Sequence, residues 1–315
     1  MATAVSVREH RDVLARLGIK TLAGRQAALG YSIVGLVYLF FVVFVFGPII
    51  LAFVLSLLVW DGLKDLNLAR QFVGLDNYLR LFADERFRFS VVHDFEFATK
   101  AYVGQIGAGL LLALAANNIR RFRRMVRSVT FLPVILPIPA TAILFVILMN
   151  PVWGVLNVAL GWLGLPPQGW VYVPESAMAS IVLMVVWKFA GYYMVLFLAA
   201  LATVPQELYD AAHIDGANGL QSFRRITWPL IRPAFLFISI INVVANLQVF
   251  TPVWMMTAGG PVRSTEVIVV LMYNTAFGYF QYSLANAMAI VLFVIILLLT
   301  IVQLRIMRTG GMEAF

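Results

Sequence analysis

Six side chains draw attention because their types are out of place in apolar surroundings or complete a face with those that are. The chain has 315 residues, 62% hydrophobic and 12% charged, with a mean hydropathy of +0.91. Within or beside its long apolar runs lie Lys188, Tyr192, Tyr193, Asn242, Asn246 and Phe250. Against lipid an amide or ammonium is costly, so it faces a cavity or a partner helix. Asn242 and Asn246 are four apart and share one helix face. Phe250 and Trp254 continue that face with a gradual drift, whereas Gln248 is expected to point elsewhere, toward a subunit interface. Tyr192 and Tyr193 lie at mid-depth beside Gly191. Amides bond hydroxyl groups and aromatic rings stack on apolar C–H faces, so this set suits a sugar. The competing use is structural, with asparagines as interhelical hydrogen bonders and tyrosines as packing or interface residues.

Lys188 admits three readings. It can contact an anionic substrate such as a uronate or phosphorylated polyol. It can snorkel, although a depth of about 16 Å at the helical rise makes that hard. It can pair with an acid of a partner subunit, the reading preferred here.

Other chemistries find no support. His10, His93 and His213 are far apart on polar segments, no triad-like or metal-spaced set occurs, and there is no cysteine. Catalytic residues and metal ligands are therefore none. No G-x-x-x-x-G-K-[ST] phosphate loop is present, and the basic clusters lack the glycine-rich nest that cradles phosphates. The formal charge of +8 raises nucleic acid as a partner, but the location of the charge argues against it.

Positioning these residues takes helices in a bilayer. A span needs about 20 apolar residues. Six runs qualify: 31–60, 98–119, 129–149, 177–204, 234–257 and 283–304. The first is expected to kink at Gly47-Pro48. Gly104, Gly107 and Gly109 allow close approach in the second, with Lys100 at its edge snorkelling to headgroups. Pro133, Pro137 and Pro139 break the third, so neighbouring helices must satisfy the freed carbonyls. Between the spans, 61–96 holds a short amphipathic helix at 76–82, 150–174 is a loop whose Trp153, Trp162 and Trp170 suit an interface, and 258–282 is an external loop. Of the 23 lysines and arginines, 15 fall in segments 1–30, 120–127, 205–233 and 305–315, and six in the alternate ones. By the positive-inside rule this is a six-helix, all-α integral membrane protein with both termini cytoplasmic. Residues 1–30 form a cytoplasmic tail, 31–97 the first helix and external loop, and 98–315 a five-helix core.

The polar segment 205–233, PQELYDAAHIDGANGLQSFRRITWPLIRP, is long for a connector. Pro205 can open a helix, and Glu207 and Asp210 suit its first turns. Asp215-Gly216 is a turn signal. A second short helix follows from about Leu220 until Pro229 and Pro233 end it or start the next span. The two helices lie at the membrane surface, either packing on their own protein or offering a docking surface.

This segment resembles the EAA loop of binding-protein-dependent ABC importer permeases. Asp210-Ala211-Ala212, Gly216 and Ile226-Thr227-Trp228-Pro229 keep the pattern's spacing, with Asp210 standing for Glu and Trp228 for Leu. FVGLDNYLRLF (72–82), FRRMVRSVTFLP (122–133), WKFAGYYMVLFLAAL (187–201) and MTAGGPVRSTE (256–266) resemble the carbohydrate, maltose-type branch, and the likeness runs from about 31 to 303. His93-Asp94 departs from the Asn-Thr of many relatives. The resemblance implies a type I ABC importer permease fold in a prokaryotic cytoplasmic (inner) membrane. It implies a second permease as heterodimer partner, two ATPase subunits docked on the EAA loops, and an external solute-binding protein. ATP and Mg would sit on the ATPase, leaving this chain no cofactor and no enzyme activity. ATPase coupling would fall to Glu207, Asp210, Ala211, Ala212, Gly216, Ile226 and Pro229. Maltose-type permeases line their substrate site from the helices holding Tyr192 and Asn246, at or near matching positions. A self-sufficient secondary transporter is the alternative; it would want a coupling carboxylate within a span, and none falls in the six runs.

Overall fold

A computed structural model describes residues 22–60, 62, 71–118 and 123–309. The basic residues Arg8, Arg11, Arg16 and Lys20 of the tail, and Arg120 and Arg121 of the densest basic cluster, lie outside them. Two compact units divide between Leu55 and Ser56, and each is described by itself.

The first unit is a long apolar helix. α1 (Leu22–Phe41) passes through a π-helical turn at Val42–Phe46 into α2 (Gly47–Ser56). Pro48 has no N–H for the carbonyl four residues back, and its ring crowds that turn. The backbone widens one residue ahead, where Gly47 N–H bonds the Val42 carbonyl. The discontinuity expected at Gly47-Pro48 is thus a π turn just before it. Nearly all of its large side chains are exposed, as suits a helix surrounded by lipid.

In the second unit, α3 (Asp76–Ala83) is the amphipathic helix expected there. It buries Leu81 completely, and its Asn77 amide donates to the carbonyls of Ser56 at 2.8 Å and Leu58 at 2.7 Å. α4 (Glu85–Asn118) starts thirteen residues before the predicted span. The added turns carry Glu85, Arg86, Arg88, Asp94 and Glu96, so hydropathy hid them. Their packed side buries Phe87 and Phe97 together with Asp94, and the Asp84 carboxylate accepts the Arg86 N–H at the helix start, at 2.8 Å. Lys100 pairs with Glu96 one turn earlier instead of reaching for headgroups.

α4 packs along α8 (Pro174–Ala202). A Cβ on Gly104 would lie 2.4 Å from Val186, and one on Gly109 2.6 Å from Tyr193; Gly107 faces open space. Two of the three glycines therefore serve the close approach. The third span is indeed broken: α5 (Arg123–Ile135) and α6 (Ile138–Leu148) meet at 96° around Leu136-Pro137. The loop after it contains α7 (Val155–Trp162). Trp162 is exposed there, while the Trp170 indole donates to Asn157 Oδ1 at 2.7 Å.

The fifth span differs most. α9 (Gln206–Ile214) is separate, but α10 (Gly219–Ser222), a π turn at Phe223–Thr227 and α11 (Trp228–Leu247) run on as one helix. Pro229 and Pro233 do not end it. The π turn precedes Pro229 as the earlier one precedes Pro48, with Trp228 N–H bonding the Phe223 carbonyl. The helix stops at Leu247, ten residues before the predicted end, and α12 (Thr251–Thr257) follows a break. Pro252 supplies no donor for the carbonyl of Gln248, which favours that break. The segment expected to be an external loop holds α13 (Ile268–Tyr273), whose Ile268, Val270 and Leu271 are buried. α14 (Tyr282–Thr309) is the last span. Among the described residues five helices, or six with the bent pair counted as one, are long and apolar enough to cross a membrane.

Candidate functional site

Two places carry the candidate residues: a loop at one end of the bundle and a cavity in its middle. The loop is built by helix caps. After α9, Gly216 adopts φ +75°, a left-handed conformation that glycine takes without strain. Gly216 N–H bonds the His213 carbonyl and Ala217 N–H the Ala212 carbonyl, the paired closure of a Schellman motif. One residue later Asn218 opens α10 with a reciprocal capping box. Its side chain accepts from Gln221 N–H and its own N–H donates to Gln221 Oε1, both at 2.9 Å. Tyr209 and Thr227 join the two helices through their hydroxyls at 2.8 Å.

The backbone is thus finished, while the side chains face outward. Glu207, Asp210 and Ala211 are exposed, and Ala212 is buried. Ile214 is 87% and Leu220 76% exposed. Ile226 and Trp228 pack inward with the core of α4, α8 and α11. Trp228 finds its room against Phe235, with ring centroids 4.9 Å apart. Pro229 is exposed on the outer side.

The cavity has a volume of about 500 Å³ and lies between α4, the α5–α6 elbow, α8 and α11. Asn246, Tyr192, Tyr193 and Phe250 line it; Asn242 does not. The Asn242 amide is fully buried and donates to Gln105 Oε1 at 2.7 Å. Asn246 donates to the same oxygen at 3.0 Å and to Asn242 Oδ1 at 2.7 Å. Both asparagines therefore also tie α11 to α4, the structural use weighed above. Gln105, from α4, was missed; its one signal was an amide inside an apolar run. Gln248, expected to point away, lines the cavity because the chain leaves helical geometry after Leu247. Phe250 stacks on Trp254 at 5.7 Å, and Tyr273 packs against both rings. Amide, phenol and aromatic groups meet here with no carboxylate, ammonium, guanidinium or imidazole among the cavity walls.

Lys188 is not on the cavity wall. It is 1% exposed, and its ammonium donates to the carbonyls of Pro133 at 3.0 Å and Leu136 at 2.5 Å. Snorkelling is overturned, and the group expected to await a partner's acid is occupied within its own chain.

Toward the other end of the bundle, Arg86 grips Glu266 with two hydrogen bonds, at 2.7 and 2.6 Å. His93 Nδ1 lies 3.3 Å from the Glu266 carbonyl oxygen. Because α4 begins at Glu85 and α8 at Pro174, Glu85, Asp94, Glu96 and Glu175 fall within span-length helices, contrary to expectation. Asp94 is 1% exposed with neither oxygen hydrogen-bonded, and nothing in the structure explains its presence.

Residues 105–308 match the family described as the binding-protein-dependent transport system inner membrane component. The chain is 32% identical over 279 residues to a probable ABC transporter permease protein, YurN, of Bacillus subtilis, covering 87% of this chain and 94% of that one. It is 32% identical over 286 residues to the trehalose/maltose transport system permease protein MalF of Thermococcus litoralis, covering 90% and 95%. A chain in the crystal structure of a bacterial alginate ABC transporter, in complex with alginate pentasaccharide-bound periplasmic protein, superposes with a TM-score of 0.82. That likeness is at 24% identity and covers 92% of this chain and 98% of the other.

Proposed function

This chain belongs to the binding-protein-dependent transport system inner membrane components and is a permease subunit of an ABC importer, and we propose that its cargo is a sugar, an oligosaccharide or a related polyol. The observation that carries the reading is the docking loop, whose backbone is closed by its own caps while Asp210, Ile214 and Leu220 stand in the open. A soluble partner that covers this apolar and charged surface would be an ATPase, which supplies the phosphate chemistry this chain lacks. Its loop end would then be cytoplasmic, with both termini on that side. Asp210 would pair with a basic group of the ATPase and Glu207 would add to the acidic face. Ala211 would leave room for close approach. Ala212, Ile226 and Pro229 would hold the helices in register, and Gly216 would set their angle.

The cargo reading rests on the wall chemistry. Tyr192 and Tyr193 offer phenols, Asn246 an amide and Phe250 an apolar ring face. Pockets of 300–1,000 Å³ hold small organic ligands, and about 500 Å³ in one subunit leaves a partner permease to complete the site. Asn242 would act one step back, by orienting Asn246 through Gln105. Alternating access would follow from rocking of this subunit against its partner, with an external binding protein delivering cargo. The names of several relatives, including that of a trehalose/maltose permease, support a sugar.

The test is affinity purification of the tagged chain in mild detergent, with mass spectrometry of what co-elutes. A second permease and an ATPase are expected, and the co-purified binding protein is then titrated with sugars. Recovery of the chain alone, active for uptake in liposomes without ATP, would sink the reading.

A further inference from the structure

The elbow between α5 and α6 creates a need that lysine is built to meet. Within α5 the carbonyl of Pro133 would bond the N–H of residue 137, but that residue is proline and has none. The carbonyl of Leu136 stands at the 96° bend, where the helix no longer runs on to supply its donor. Inside a bilayer neither oxygen can turn to water. Lys188 reaches both from α8 with a single ammonium. An ammonium carries three donors on a flexible stem, enough to bond two carbonyls at once. Among the described residues, the ion pairs do not include it.

The contact is one half of a clamp. Three residues further along α8, Gly191 takes the backbone of α5 so closely that a Cβ would sit 2.0 Å from the Thr130 carbonyl oxygen. Over one turn, α8 thus holds α5 by a backbone contact and the elbow by a charge. Val134 and Ile138, on either side of the bend, face the cavity, as do Val185, Phe189 and Tyr192 of α8. We propose that Lys188 is a positioning residue for transport: it supplies the two donors the elbow lacks, pins the elbow to α8, and so fixes the distance between two walls of the cavity. The link to transport rests on the permease reading of that cavity, while the pin does not.

The chain has no cysteine, so a single cysteine reports cleanly. Ile138→Cys is placed in the assembled importer in membrane vesicles. Its modification by a small charged thiol reagent is followed by mass on this chain, beside uptake. Lys188→Met is expected to change the modification rate by about fivefold or more, the shift that follows from leaving a buried acceptor unpaired. Lys188→Arg, which keeps donors, should recover most of the parent rate, with uptake following in the same order. A rate within about twofold of the parent in Lys188→Met overturns the pin, and uptake lost at an unchanged rate assigns Lys188 to the cargo instead. Should Lys188→Met fail to accumulate, Pro137→Ala in the same chain returns an N–H to the Pro133 carbonyl and is expected to restore it. No recovery overturns the proposal. A rate that shifts as expected in a protein that carries no sugar would leave the pin standing and remove only the cargo reading.

Discussion

The two ends of the larger unit treat polar groups in opposite ways. Around Arg86 most are paired within the chain, the buried Asp94 being an exception. Glu266 is 4% exposed and held by both arms of the Arg86 guanidinium, and Thr257 and Thr265 join hydroxyls at 2.7 Å. At the far end of α4, Asn117 borders the same hollow as Tyr209 and His213 of the docking loop. There the backbone hydrogen bonds of the turn are local caps, and Glu207, Asp210, Arg224, Arg225, Ile214 and Leu220 are exposed. The first end largely closes on itself, although the buried Asp94 carboxylate has no hydrogen-bond partner. The other is closed in its backbone but open in its side chains, as the proposed docking of a partner would require.

Glu266→Ala should break the comparison hardest. It strands Arg86 and should lower unfolding free energy by about 3 kcal/mol, read as a loss of thermal stability in detergent; an unchanged melt would mean that the end is not held by this pair. Asp210→Lys should leave the melt alone and cut uptake by about tenfold or more through a reversed charge at a docking contact. Survival of uptake and of binding-protein-stimulated ATP hydrolysis would remove Asp210 from the interface. Gly216→Ala should cost about 1 kcal/mol for its left-handed conformation. Gly219→Ala, which has open space and no such φ, is the control that should cost nothing measurable. Ile214→Ser is the smallest in stability, within about 0.5 kcal/mol for an exposed site, yet should reduce the ATPase recovered with the chain. If it does not, the exposed aliphatic is incidental.

Much of this was legible from the chain. Apolar run length announces the spans, and Asp215-Gly216 announces the turn of the loop, because those signals are local; the capping box of Asn218 and Gln221 went unread. What escaped was set by tertiary context. Residues 85–97 hide a helix because five charged side chains, one of them the buried Asp94, lower the hydropathy of the segment. Residues 268–273 are too short and apolar to read as anything but loop or strand, yet form a buried helix packed on α4 and α14. The elbow's freed carbonyls and Lys188 were each visible, but they lie 52 and 55 residues apart, and nothing local says that they meet. Gln105, 137 residues from Asn242, was lost for the same reason.

The unbroken helix Gly219–Leu247 has 29 residues and so a length of about 43 Å at 1.5 Å per residue. Its handle is half of the docking loop, and its tip carries Asn242 and Asn246. Such a beam needs no relay of contacts to carry a signal. A tilt of about 6° at the handle sweeps the tip through about 4 Å over that length, more than a hydrogen bond spans. Under the proposed docking, torque applied to the loop and a changed grip on Gln105 would be two views of a single rotation.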